Sequence, residues 1–419
     1  MASQRIYYGY WLILAAFVAQ FVAVGALNYV IGPFFIPMTE DLGWNRAEFT
    51  LSRTLGQVIM AITGFLIGSR IDRLGPKKFM LAGCVILSAS LFSTAYIQTL
   101  WQWILLNGIA LTVGSSLIGN LVVNVTLSKW FVNLRGRAIA LAAMGVSFAG
   151  ILLTPLTTLI IDQLHWRAAW QVLGLGTLIL VIPVALSMRR APEDHGLLPD
   201  GGIMLKDALR QARITADYDN SLTRREALRT PAFYLLVLAF GLFVITIQVM
   251  LLQTVPLMTD AGYSRNTAAF MIALASIPAL LSKPVWGWLI DELQPKPLAS
   301  CSAAITAVSL VMIVYGIGLH ADLWIYTGFL LLGLGWGGMI PLQEVIWGSF
   351  FGRRYLGAVR SAALPLALLF PAGAPLATSY YYDQVGNYDG AILAVAGANL
   401  ISALLILAIP KPDKTQSAG

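Results

Sequence analysis

The sequence predicts an all-helical membrane protein whose twelve transmembrane helices form two six-helix bundles related by an internal repeat. Three observations carry this reading. First, 58% of the 419 residues are hydrophobic and 11% charged, with a mean hydropathy of +0.75. A soluble domain carries about 25% charged residues, so this chain cannot cover a water-facing surface. Second, apolar runs recur near 10–35, 47–68, 79–98, 102–127, 138–161, 167–187, 232–256, 267–290, 298–318, 323–347, 359–381 and 390–409. Each is close to the length of about 20 residues that crosses a hydrocarbon core. Third, the stretch 43–72 is echoed at 262–291. Pro37, Asp41, Gly43, Arg46, Gly68 and Asp72 recur as Pro256, Asp260, Gly262, Arg265, Gly287 and Asp291 at one offset of 219, with Trp44 answered by Tyr263.

The first apolar run continues far beyond a signal-peptide core, so it is expected to remain as an uncleaved first span. Gly (38 residues) and Pro (19 residues) occur throughout the runs. Membrane helices tolerate both where they pack closely or bend. The longest connection, 188–231, is polar and contains a basic amphipathic piece at 222–229. It is expected to separate an N-terminal bundle (1–187) from a C-terminal bundle (232–419) as a tether at an acidic-lipid surface.

Lys and Arg set the orientation. With the N-terminus inside, the inner segments hold 22 of the 27 basic residues, and the outer ones hold Arg46, Arg167 and Arg265. Both termini are therefore expected on the cytoplasmic side of an inner membrane. The net charge of +7 reflects this asymmetry, and no nucleic-acid partner is expected. Cys84 and Cys301 both lie inside apolar runs and read as small buried residues. The chain has no HExxH, GxSxG or P-loop motif, and His165, His195 and His320 are scattered. No enzyme, metal or cofactor is expected. Two parallel halves with a site near mid-membrane describe a secondary transporter, with the lipid bilayer as its surroundings and a monomer as its expected state.

Two charges remain inside spans, Arg53 and Lys283. An ammonium in a span costs about 2.5–3.5 kcal/mol on insertion scales. Lys283 therefore either snorkels toward the inner surface or faces a cavity and an anionic ligand, and Pro284 beside it can open the helix locally. Arg53 either snorkels outward or supplies a second cation, and its repeat partner is Ile272. Asn120 and Asn124, one turn apart, share a helix face as cavity or helix-contact residues. Tyr29 and Gln248 are equivalent under the offset, and Trp336 is a further cavity-wall candidate. Glu344 is the carboxylate lying well inside a span, which makes it the proton-coupling candidate.

The loop Gly68-x-x-x-Asp72-Arg73-x-Gly75-x-Lys77-Lys78 resembles the hallmark loop between spans two and three of the major facilitator superfamily, and Gly287-x-x-x-Asp291 is a weaker second copy. The resemblance implies that Gly68, Asp72, Arg73, Gly75 and Asp291 gate conformational change. Tyr7-Tyr8-Gly9-Tyr10-Trp11, Trp130-Phe131-x-x-x-Arg135-Gly136-Arg137-Ala138 and Lys283-Pro284 are similar to features of its monocarboxylate transporter and oxalate/formate antiporter branch. That branch places an Arg-Pro at the third position, whose cation binds the substrate carboxylate. Animal members also carry a span-one lysine and an aspartate one turn before the span-eight cation. Here those positions hold Tyr29 and Ala279.

The expected function is therefore alternating-access transport of a small organic monocarboxylate, with proton symport as the first coupling mode. The alternatives are exchange of monocarboxylates or dicarboxylates, a transport-inactive sensor, and an exporter of amphipathic drugs.

Overall fold

The computed structural model describes residues 7–44, 46–202, 215, 218–367 and 369–412. Arg5, Lys206, Arg210, Arg213 and Lys414, counted above with the inner-side cations, lie outside the described residues. Among those described there is no strand, and twelve helices are long and apolar enough to cross a membrane. They are α1 (Tyr8–Phe34), α2 (Leu51–Leu74), α3 (Pro76–Thr94), α4 (Leu100–Trp130), α5 (Arg135–Leu164), α6 (Trp166–Ser187), α7 (Pro231–Leu251), α8 (Phe270–Glu292), α9 (Pro295–Gly318), α10 (Asp322–Phe351), α11 (Leu356–Tyr382) and α12 (Asp389–Ala408).

The chain divides into two compact units. One is built from Met1–Arg224 with Phe351–Pro365, the other from Arg225–Phe350 with Leu366–Gly419. Within the first, α3 lies along α6, and α1 lies along α5 and α6. Within the second, α9 lies along α12, and α7 lies along the Leu369–Val385 stretch and α12. Adding six to each helix number maps one set of pairings onto the other, so the repeat read in the residues is also a repeat of packing.

The same kind of interaction joins the helices in both units. Lipid removes the hydrophobic drive between helices, leaving close packing and buried hydrogen bonds. Ser88 Oγ of α3 donates to the Gly174 carbonyl of α6 at 2.6 Å, and Ser300 Oγ of α9 donates to the Ala403 carbonyl of α12 at 2.9 Å. Ser402 Oγ of α12 donates to the Ala239 carbonyl of α7 at 2.7 Å. The repeated glycines Gly43 and Gly262 have φ of 68° and 88°, a left-handed conformation that glycine adopts without steric cost.

The cysteines divide. Cys84 is buried as expected, whereas Cys301 is exposed on α9. The hydropathy of a span fixes its length and medium but not which of its faces packs inward.

Residues 188–202 are tied to the first unit. Asp200, 3% exposed, accepts from the backbone N–H groups of Val132, Asn133 and Leu134 and from Asn133 Nδ2, at 2.9–3.3 Å. These donors precede α5, where no intrahelical acceptor exists for them. Asp200 itself takes φ 58°, which Asp tolerates better than most side chains. Tyr7 Oη donates to the Trp130 carbonyl at 3.0 Å, and burial, reinforced by the Asp200 charge, pushes its phenol above the usual range. Arg190 hydrogen-bonds Asp194 at 2.8 Å and holds that carboxyl below the usual carboxylate range, so this exposed pair stays charged at neutral pH.

Removing the Asp200 carboxylate leaves a row of buried donors unanswered, at a cost of about 1–3 kcal/mol. Asp200→Ala is expected to lower the thermal midpoint of the detergent-solubilised protein and to speed amide exchange at 132–134, with Asp200→Asn intermediate. Unchanged exchange in Asp200→Ala would show that the carboxylate does not hold this loop.

Candidate functional site

α8 carries Lys283 between two prolines, Pro278 and Pro284. Pro284 has no N–H, so the Leu280 carbonyl receives no helical donor from it. Lys283 is 3% exposed, and its Nζ donates to the Ala279 carbonyl oxygen at 3.1 Å. The ammonium thus leans back along its own helix toward the position where the resemblance places an aspartate, and meets a backbone dipole there.

α10 runs beside this turn. A Cβ on Gly337 would come within 3.1 Å of the Ala279 carbonyl, and Trp286 Nε1 donates to the Leu334 carbonyl at 2.9 Å. Residue 336 therefore lies on α10 next to the turn of α8 that holds Lys283. Trp336 packs on the apolar core of the second unit, yet its indole Nε1 is buried without a hydrogen-bond acceptor, and Ser282 Oγ is also unpartnered. Two buried hydrogen-bonding groups lacking protein partners thus flank the helix region of a buried cation. Buried groups of this kind are normally satisfied, and an anionic ligand is one species that would satisfy them. Gln248, on α7, is half-buried. Glu344 is 8% exposed, two turns along α10 from Trp336.

The remaining candidates belong to the first unit. A π-helical turn, Gly25–Tyr29, interrupts α1; such turns often mark functional positions. Its Asn28 accepts from Arg53 Nη2 at 2.9 Å, while Arg53 Nη1 is buried without a partner. Arg53 lines a narrow crevice with Gln57 and Asn107. Tyr29 turns toward α5, where a Cβ on Gly150 would meet its ring at 2.6 Å. Asn124, 1% exposed, accepts from Gln20 Nε2 of α1 at 3.0 Å, a contact that joins two helices. Asn120 begins the helical segment that follows a break at Gly119, and its Oδ1 is buried with no donor. Arg53 and Asn28 come together in this unit, as do the turns of Lys283 and Trp336 in the other. Asn120 and Asn124 share a face but differ in pairing.

At the end of α2, Asp72 pairs with Lys129 of α4 at 2.7 Å, with side-chain exposures of 7% and 8%. The same carboxylate accepts from the first N–H groups of α11, Ala358 at 2.9 Å and Gly357 at 3.4 Å. The positive end of a helix thereby faces a negative charge. The close approach depends on Gly357, where a Cβ would come within 2.6 Å of the Gly68 carbonyl. Gly75 has φ 76° and ends α2, and Pro76 opens α3. Arg73 is exposed, and Asp291 is half-buried at the end of α8.

A family model described as Major Facilitator Superfamily matches residues 14–370. The chain belongs to the major facilitator superfamily. It is a multi-pass membrane transporter and not an enzyme. Proteins similar to it include the oxalate:formate antiporter of Oxalobacter formigenes, 25% identical over 96% of this chain and 92% of that protein. Another is monocarboxylate transporter 13 of Bos taurus, 23% identical over 96% of this chain and 88% of that one. Among solved structures, the proton:xylose symporter XylE bound to 6-bromo-6-deoxy-D-glucose superposes with a TM-score of 0.80, covering 96% of both chains at 12% identity. At that identity the likeness shows the fold alone.

In this superfamily transporter, several polar partners were not legible in the sequence. Nothing in the sequence sets Gln20 and Asn28 apart from other polar residues of an apolar span, and Lys129 is one of the 22 cations that set the orientation. Their only sequence signal was polarity near a span interior, which does not name a partner.

Asp72→Ala would strand the buried Lys129 ammonium, at about 3–5 kcal/mol. The single variant is expected to melt well below the native protein, and the further change Lys129→Met to recover much of the loss. Equal midpoints for the single and double variants would mean that the pair is not energetically coupled.

Proposed function

We propose that this transporter carries a small organic monocarboxylate by alternating access, with the cargo carboxylate bound at Lys283. The observation that carries the reading is the buried ammonium of α8, donating to a backbone carbonyl at the position where animal relatives of the resembled branch have a carboxylate. A cation buried in an apolar span is costly unless a cavity or an anion meets it, and the carboxylate of the cargo is such an anion. Ser282 and Trp336 add neighbouring groups without protein hydrogen-bond partners. Similarity to a monocarboxylate transporter and to an oxalate:formate antiporter supports the same cargo class. Tyr29, Asn120, Gln248 and Arg53 are further wall candidates in this reading, and Asn124 acts through its bond to Gln20. Gly68, Asp72, Arg73, Gly75 and Asp291 are proposed to gate the exchange of states. The preponderance of Lys and Arg on one side supports cytoplasmic termini in an inner membrane.

Uptake of lactate, pyruvate and an aromatic acid into proteoliposomes tests the anchor. Loss of a charge-assisted bond is worth about 1.5–3 kcal/mol. Lys283→Ala is therefore expected to raise the half-saturating concentration tenfold or more, while Lys283→Arg retains transport. Native half-saturation in Lys283→Ala would remove the carboxylate role.

For coupling, proton symport through Glu344 is the leading mode. Glu344→Gln is expected to abolish stimulation by an inward proton gradient while substrate counterflow persists. Stimulation of native size in that variant would exclude Glu344.

Exchange is the second reading, favoured by the buried, unpartnered Nη1 of Arg53, which offers a second cation. It predicts uptake only into vesicles preloaded with a carboxylate.

A further inference from the structure

A cavity of about 530 Å³ lies within the first unit, at the end where α2 meets α3. Its volume falls in the range of small-molecule sites. Six cations line it, Arg73, Lys129, Arg190, Arg224, Arg353 and Arg354, together with three carboxylates, Asp72, Glu193 and Asp194. The carboxylates are already engaged. Asp72 pairs with Lys129, Asp194 with Arg190, and Glu193 with Arg353 at 2.7 Å. Arg73, Arg224 and Arg354 have no carboxylate within ion-pair distance among the described residues, so the cavity carries three surplus positive charges.

Two of these guanidiniums are held by aromatic faces. Arg224 Cζ sits 4.1 Å from the centre of the Phe65 ring, and its Nη2 is buried without an acceptor. Arg354 Cζ lies 5.2 Å from the ring centres of both Tyr218 and Tyr355. A guanidinium stacked on a ring keeps its N–H edge available in the plane, the arrangement that grips phosphate through paired hydrogen bonds. A solvated basic surface would instead hold its cations on free stems, with every N–H reached by water.

We propose that this cavity is an anion site for a phosphate group, separate from the carboxylate site at Lys283. A carboxylate neutralises one of the three surplus cations. A phosphate monoester carries about two charges at neutral pH and presents three acceptor oxygens. The phosphate has two possible sources. Phe65, against which Arg224 stacks, and Leu66 beside it are exposed on α2, so the phosphomonoester headgroup of phosphatidic acid could enter from the bilayer. A soluble phosphate could enter from the aqueous end.

The test uses the purified full chain in a zwitterionic, phosphate-free detergent, titrated calorimetrically with inorganic pyrophosphate and, separately, with dihexanoyl phosphatidic acid. Saturable binding of one probe is expected. Pyrophosphate binding identifies a soluble ligand, and binding of the lipid alone identifies a headgroup. The double variant R224Q/R354Q is expected to weaken that binding at least tenfold, from the loss of charge-assisted bonds. R224K/R354K, which keeps both charges, is expected to retain saturation and so reports on folding at the same positions. Lys283→Ala is expected to bind the probe as the native chain does, whatever its effect on carboxylate uptake. Absence of saturation with both probes, native affinity in R224Q/R354Q, or loss of probe binding in Lys283→Ala would overturn the proposal.

Discussion

A charge removed from water needs a partner within the protein, and in a chain with 11% charged residues each such partner shapes the fold around it. The Asp72 carboxylate shows this most fully. It meets Lys129 on one side and the N-terminal amides of α11 on the other, so one group joins α2, α4 and α11. Neither partner alone would satisfy a buried carboxylate, which has about four acceptor positions. The absence of a side chain at Gly357 lets the backbones come close enough for both to act. Lys283 follows the same rule differently, since its bond to Ala279 is to a dipole.

Elsewhere, backbone carbonyls do much of the helix-to-helix work. Ser88, Ser300 and Ser402 reach carbonyls of neighbouring helices, and both units use the same pairing plan. Hydrocarbon offers no alternative partner to a hydroxyl. Where α1 loosens into a π-helical turn, it presents Asn28 to Arg53, and the departure from regular helix coincides with a charge inside a span. Local irregularity and buried polarity occur together here because each makes room for the other.

The segment after α6 extends this logic beyond the spans. Asp200 answers the buried amides before α5. Tyr7 and Tyr10 pack on Phe131, and Tyr7 also packs on Trp130. The aromatic opening of the chain and the Trp-Phe pair after α4, more than a hundred residues apart, thus form one cluster. The loop that carries Asp200 also supplies Arg190, Glu193 and Asp194 to the basic cavity.

Read on its own, the chain settles the solvent it folds in, the twelve spans, the doubled plan and the two charges left in apolar helices. Those follow from composition, run length and one constant offset, all local or periodic quantities. Folding settles what each polar group meets. Asn120 and Asn124 look alike in sequence, yet one reaches Gln20 and the other retains an open acceptor. Lys129 counts as an orientation charge in sequence and becomes an ion-pair partner in space. Arg73, Arg224 and Arg354 become a group only when α2, the segment after α6 and the start of α11 converge. Pairing depends on distances between residues far apart in the chain, and no one-dimensional pattern encodes those distances.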